Sequence, residues 1–198
     1  MKRDTGSGLR ELWLSGQDVS VLSQQVGQLL NLRTLGLAGN RLESLPAQLG
    51  ELKRLERLVL SGNRLSGLPA ELAGLQALQE LRLDANALGE LPGCVFRLRR
   101  LVHLSASKNR LVAVPAELVR LRQLAELDLD DNQIDDAAVK AFPWKDVSAS
   151  LQVLGLNTVS RLPDEIFALK YLALVRTKTR CFRPNADAAA SAGSSSPK

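Results

Sequence analysis

The feature that most constrains this chain is a pattern that returns every 23 residues. Leu32, Leu55, Leu78 and Leu101 each open a copy of LxxLxLxxNxLxxLPxxLxxLxx, with Ala106, Val95 and Val114 replacing Leu at single positions. A period in the twenties means that each copy is one small unit unable to bury its own apolar face, so copies must stack and share a core. Numbering each copy from its first Leu, positions 4 and 6 alternate with polar residues. That predicts a short strand with one face buried, Leu58 and Leu60 in the third copy. Stacked copies pair these strands into a parallel sheet. Leu-Pro at positions 14 and 15 turns the chain outward, because Pro fixes its own φ. Apolar residues three apart at positions 18 and 21 then suit a short helical or 3-10 turn with its inner face on the core.

Position 9 is Asn40, Asn63, Asn86, Asn109 and Asn132. A buried amide here can satisfy backbone N–H and C=O groups that the turn leaves open, in its own copy and in the next. These residues are therefore assigned to a structural asparagine ladder. Function is to be sought on the outward strand positions and the outer surface.

Composition narrows the classes of function. The chain has 198 residues, consistent with one repeat array, and a formal net charge of +5. No uninterrupted apolar run reaches the ~18 residues of a membrane span. Met1 to Gly8 has no apolar stretch resembling a signal peptide, and Lys2 excludes the N-myristoylation motif. Cys94 and Cys181 stand far apart and form no disulfide framework. One histidine argues against a metal site, and no Gly-Lys pair or GxSxG is present. Asp128-x-Asp130-x-Asn132 imitates the start of a calcium loop, but Gln133 and Val139 stand where Gly and Glu are needed. No cofactor and no small-molecule substrate are expected.

Taken in order, residues 1–8 form a flexible start and residues 9–175 the repeat domain. Copies begin at 9, 32, 55, 78, 101, 124 and 151, a closing strand lies around Leu172 to Val175, and 176–198 is a basic and then disordered tail. The first copy is degenerate, with Gln17 at the ladder position. Too little chain precedes it for a capping helix, so that end either pairs with something, self-association included, or continues a longer array. The sixth copy runs 27 residues. Its Asp135-Asp136-Ala137-Ala138 predicts a longer outer helix ended by Pro143, and the insertion around Trp144 is a further candidate surface.

Positions 3 and 5 of each strand point away from the core. In order they are Glu11 and Trp13, Thr34 and Gly36, Arg57 and Val59, Glu80 and Arg82, His103 and Ser105, Glu126 and Asp128, and Val153 and Gly155. Seven strands at ~4.8 Å spacing give a face about 29 Å long, enough for a standard interface of ~800 Å² per partner. The face is graded from aromatic Trp13 through basic Arg57 and Arg82 to acidic Glu126 and Asp128. These residues with His103 form the expected contact set, since aromatics and Arg commonly dominate interfaces. His103, Ser105, Glu126 and Asp128 also share neighbouring strands. An open surface without an oxyanion hole makes them polar residues of a binding face rather than a catalytic set. Lys53, Arg54, Arg97, Arg99, Arg100, Arg120 and Arg122 form a basic convex strip, whose simplest reading is solubility charge.

The repeat as it stands in Leu32 to Arg54 and Leu55 to Ala77 resembles the intracellular leucine-rich-repeat family with 23-residue copies, similar to Ras-binding and Ras-suppressor scaffolds and to plant intracellular Ras-group-related proteins. The resemblance covers Leu9 to about Val175. It implies an α/β leucine-rich-repeat solenoid, curved and right-handed, with a parallel sheet on the concave face. It also implies a cytoplasmic, non-enzymatic adaptor in signalling that binds a protein on that face. The alternatives are a regulatory or specificity subunit of a phosphatase or ubiquitin ligase complex and, less favoured, a nucleic-acid or membrane-surface binder using the basic strip.

Overall fold

A computed structural model describes residues 8–147, 149–178 and 181–182. The expected flexible start, apart from Gly8, and the tail from Pro184 onward lie outside the described residues. Each copy contributes one short strand: β1 (Glu11–Trp13), β2 (Thr34–Gly36), β3 (Arg57–Val59), β4 (Glu80–Arg82), β5 (His103–Ser105), β6 (Glu126–Asp128) and β7 (Val153–Leu156). They pair in parallel in sequence order, and β8 (Leu174–Thr177) follows in the same sense. Register advances by one repeat per strand, Glu11 facing Thr34, Thr34 facing Arg57 and Arg57 facing Glu80. Equivalent residues of all copies therefore lie in rows across the molecule.

Return segments are 3-10 turns, such as Ala47–Glu51, Ala70–Gly74 and Ala116–Arg120, each preceded by its Pro. Positions 1, 4, 6, 11, 18 and 21 are buried copy after copy, as in Leu32, Leu35, Leu37, Leu42, Leu49 and Leu52. Each such Leu contributes roughly 1.5–3 kcal/mol of burial. The ladder asparagines join adjacent copies. Asn63 Nδ2 donates to Leu60 O of its own copy and Leu37 O of the copy before, both at 2.9 Å, and its Oδ1 accepts from Leu42 N at 3.0 Å. Asn40, Asn86, Asn109 and Asn132 donate in the same way.

One feature of the loop before each Asn escaped the sequence reading. Position 8 is left-handed in six successive copies, at Gly16, Gly39, Gly62, Ala85, Lys108 and Asp131. Glycine adopts that conformation freely, whereas L side chains are strained in it. Glycine in the first three copies was the available signal.

The sixth copy forms α1 (Asp136–Ala141), capped by the Asp135 carboxylate accepting from Ala138 N at 2.7 Å. The insertion around Trp144 was a candidate surface, but Trp144 itself does not contribute to it. It is buried, its Nε1 donates to Val139 O at 2.8 Å, and its ring meets Phe142 edge-on at 4.6 Å. The longer copy needs this ring to fill the extra width beneath the helix. In the seventh copy the return segment is α2 (Asp164–Phe167).

The sheet also continues beyond the boundary set at Val175. β8 runs to Thr177, and β9 (Cys181–Phe182) folds back antiparallel against it, with Arg176 opposite Cys181. Arg176 is thus a strand residue rather than the start of a tail. At the other end, Leu12 and Leu14 of the first copy are half-buried, and Leu9, Trp13, Val21 and Leu30 are exposed.

Candidate functional site

The outward strand positions form a face ordered by contacts between neighbouring strands. Glu80 lies between two arginines one strand spacing and two residues away. Arg57 Nε and Arg82 Nε each approach its carboxylate to 2.6 Å. The Glu80 side chain is 13% exposed, whereas those of Arg57 and Arg82 are 51% and 57% exposed. Burial pushes the Glu80 carboxyl up, but Arg82 and then Arg57 outweigh it and hold the group below its ordinary value. The acid serves as a hidden anchor that presents two guanidinium groups outward.

One strand on, His103 Nδ1 lies 3.0 Å from Glu126 Oε2 on the strand after it. Ser105 Oγ does not turn to His103. It makes a short hydrogen bond to Asp84, which also accepts from Ser61 Oγ (3.0 Å), Ser107 N (3.1 Å) and Ser107 Oγ (3.0 Å). The expected row of polar residues is therefore a set of strand-to-strand ties, and no serine–histidine pair forms.

Arg176 reaches across β7. Its Nη2 lies 2.6 Å from Asp128 Oδ2 and its Nε 2.7 Å from Asp130 Oδ2, the second contact being an ion pair without hydrogen-bond alignment. Gly155 makes this crossing possible, because a Cβ there would sit 2.6 Å from Asp128 Oδ1 and 2.7 Å from Arg176 Nη2. Asp130 also accepts from Asn157 N at 2.9 Å. Burial, with repulsion from Asp128, still raises its carboxyl above the ordinary value despite Asn157 and Arg176. Burial works against the Arg176 charge as well, but Asp128 and Asp130 outweigh it and raise its pKa.

Gly36 has the same role at the other end. A Cβ there would collide with the Trp13 ring, so the indole packs against Gly36 of β2 while remaining 53% exposed. Its Nε1 donates to Glu11 Oε2 at 3.3 Å. Three residues of the outward set are consequently buried rather than presented: Thr34, Gly36 and Gly155. The charge gradient is also reduced, because Glu80 offsets one arginine and Arg176 offsets one aspartate. Between Arg82 and Arg176 the face dips into a depression of about 230 Å³, floored by Leu81, Leu104 and Leu127 and rimmed by His103, Glu126 and Asp128.

Asp84 was missed in the sequence, Arg176 was assigned to the basic tail, and Asp130 was read as an extension of the acidic end without its partner. Counting the period one copy further from Leu172 would have placed Arg176 at position 5, next to Gly155. Asp84 and Asp130 stand at position 7, just past the strand, where alternation no longer predicts direction.

The leucine rich repeat family model matches residues 7–65, 30–88 and 76–134. The chain belongs to the leucine-rich-repeat family. Among solved structures, this leucine-rich-repeat chain is 36% identical to the LRR protein LIC12759 of Leptospira interrogans, with a TM-score of 0.73 over 81% of this chain and 40% of that one. It is 31% identical to the LRR ectodomain of the plant membrane receptor kinase GASSHO1/SCHENGEN3 from Arabidopsis thaliana, solved in complex with CASPARIAN STRIP INTEGRITY FACTOR 2, with a TM-score of 0.72 over 85% of this chain and 21% of that one. An internalin of Listeria monocytogenes, 19% identical with a TM-score of 0.72 over 86% of this chain and 48% of that one, shares the fold. The chain spans less than half the length of each of these neighbours. No curated protein matches it. Leucine-rich repeats are generally a non-enzymatic, protein-binding fold. No helix among the described residues is long and apolar enough to cross a membrane.

Proposed function

We propose that this leucine-rich-repeat chain is a non-enzymatic scaffold or adaptor in intracellular signalling. It binds a partner protein across the concave sheet, with Arg57, Arg82, His103, Glu126 and Asp128 as the contact set and Trp13 as an aromatic anchor at one end. The observation that carries this reading is the Glu80 arrangement. Two half-exposed guanidinium groups are held by a half-buried carboxylate, so little side-chain freedom remains to be lost on binding. Trp13, packed against Gly36, is similarly pre-ordered. The GASSHO1/SCHENGEN3 ectodomain, itself solved in a complex, supports the choice of a binding role.

The test compares wild type with Arg57→Gln, Arg82→Gln in a pull-down followed by calorimetric titration of whatever is captured. Neutral replacements are preferred because charge reversal would add carboxylates beside Glu80. Loss of a captured protein from the double variant, with an unfolding midpoint close to wild type, establishes the face. Undiminished affinity in the double variant overturns the assignment.

A further inference from the structure

The two flanks of the solenoid, where the chain enters and leaves each strand, differ in charge. On the entering side each copy ends in a two-residue turn: Leu30-Asn31, Lys53-Arg54, Gln76-Ala77, Arg99-Arg100, Arg122-Gln123, Ala149-Ser150 and Lys170-Tyr171. Constant register stacks these turns in one row. The row holds Lys53, Arg54, Arg99, Arg100, Arg122 and Lys170, all exposed, and contains no Asp or Glu. The basic strip expected on the convex side is thus redistributed. Most of it lies on this flank, with Arg97 and Arg120 just behind at the ends of their 3-10 turns. The leaving side mixes signs: Asp18, Glu43, Glu90, Asp131 and Asp135 alternate with Arg41, Arg64 and Arg110.

The entering flank is also rigidly built. In five copies the Leu before the turn, buried in four of them and half-buried at Leu29, has inverse γ-turn dihedrals, as at Leu52 (φ −76, ψ 68) and Leu98 (φ −82, ψ 74). The following amide closes each one: Lys53 N donates to Glu51 O at 2.8 Å and Arg99 N to Arg97 O at 3.0 Å. Core packing of the Leu therefore fixes the direction in which the basic pair leaves the surface. Arg97, Arg99, Arg120 and Arg122 line a groove of about 930 Å³ whose lining includes no acid. Glu51 and Glu56 border the row near its first copies, and Glu56 is already paired with Arg33.

We propose that this flank docks on an anionic lipid bilayer. A row of turns about 29 Å long matches a flat negative surface, which attracts juxtaposed basic residues additively. The two ends of the row carry Leu30, 56% exposed, and Tyr171, 50% exposed, with Lys170 Nζ 5.1 Å from the Tyr171 ring. Apolar and aromatic groups flanking a basic stretch are the composition of an interfacial contact. Nucleic acid fits less well, since Phe96, the one aromatic lining the groove, is buried and no exposed aromatic stands between Lys53 and Arg122 to stack on bases. Docked this way, the sheet stands edge-on to the bilayer and the concave face stays open to a partner. The inference is independent of the concave-face proposal.

The experiment is co-sedimentation of the full chain with vesicles of phosphatidylcholine alone and of phosphatidylcholine mixed with phosphatidylserine, at low and high salt. Wild type is expected on the mixed vesicles at low salt and in the supernatant otherwise. Arg99→Gln with Arg100→Gln and Arg122→Gln should weaken that binding roughly 100-fold, from three basic contacts. Arg41→Gln with Arg64→Gln and Arg110→Gln removes the same charge from the other flank and should leave binding close to wild type. Both variants keep Arg180 and Arg183, which lie outside the described residues, so a tail contribution cancels. Equal losses in the two variants, no loss in the first, absence of wild type from the mixed vesicles, or binding to neutral vesicles would each overturn the proposal. So would a duplex DNA oligonucleotide binding wild type more tightly than the mixed vesicles do.

Discussion

Two clusters on the concave face are charge inversions of one another. In the middle, one acid, Glu80, lies between two arginines; at the C-terminal end, one arginine, Arg176, lies between two aspartates. Geometry is similar in both, with every contact at 2.6 or 2.7 Å. The electrostatic outcomes differ. The Glu80 carboxyl is held below its ordinary value, while that of Asp130 is raised above it by burial and Asp128. Arginine is weakly hydrated and its charged end can remain in solvent while its stem packs, so two arginines around a hidden acid cost little. Aspartates are short, and two of them half-buried side by side repel one another. The middle cluster therefore presents exposed donors, and the C-terminal one closes the sheet.

If that distinction is right, removing the central residue of the closing cluster costs more than removing a peripheral arginine of the middle one. Arg176→Ala leaves Asp128 and Asp130 facing each other and is expected to cost roughly 1.5–3 kcal/mol. Arg57→Ala leaves Glu80 with Arg82 and is expected to cost about 0–1 kcal/mol. Urea unfolding measures both, and equal losses would break the comparison.

The two acids should respond oppositely to pH. A carboxyl whose folded value is depressed stabilises above its unfolded value, near 4.3 for Glu, and that stabilisation is lost as pH falls through the folded value. The advantage of wild type over Glu80→Gln should therefore shrink on acidification. Asp130, being raised, costs stability when ionised, and the cost disappears as pH falls through its folded value toward the ordinary one. Wild type should accordingly gain on Asp130→Asn over that interval. Denaturant midpoints across an acid series decide, and parallel slopes would contradict the assigned causes.

A smaller contrast lies in the left-handed turns behind the two clusters. Ala85 follows β4, has φ 52 and no compensating side-chain bond, so Ala85→Gly should add about 0.5–1 kcal/mol. Asp131 follows β6 with φ 54, but its Oδ1 accepts from Asn157 Nδ2 at 2.8 Å. Asp131→Gly trades strain for that bond and should change stability less than Ala85→Gly does. A thermal shift larger for Asp131→Gly would reverse the ranking.

How far the sequence carries depends on the range of each interaction. Leu58, Leu60 and Asn63 could be placed from one copy, because their burial and bonding repeat with the period. The helix at Asp135 was legible as a local capping pattern. Trp144 was not, since whether an aromatic near a break in the repeat fills the core or decorates the surface depends on the width left beneath α1. Trp13 and Arg176 were placed on the correct face or missed for a related reason. Each owes its position to a glycine on the neighbouring strand, Gly36 or Gly155, which carries no polarity or apolarity to count.

By itself the sequence determined the solenoid: the period, the parallel strands, the buried Leu rows and the Asn positions follow from apolar surface that one copy cannot bury alone and backbone groups that one turn cannot satisfy alone. Tertiary structure decided what the surface offers. Stacking at fixed register sets Arg57 and Arg82 on a shared acid, lays Arg176 across Gly155, and collects scattered Lys and Arg into one flank. Apart from the Arg82–Glu80 contact within β4, those relations join residues of different copies through a register that no single copy encodes.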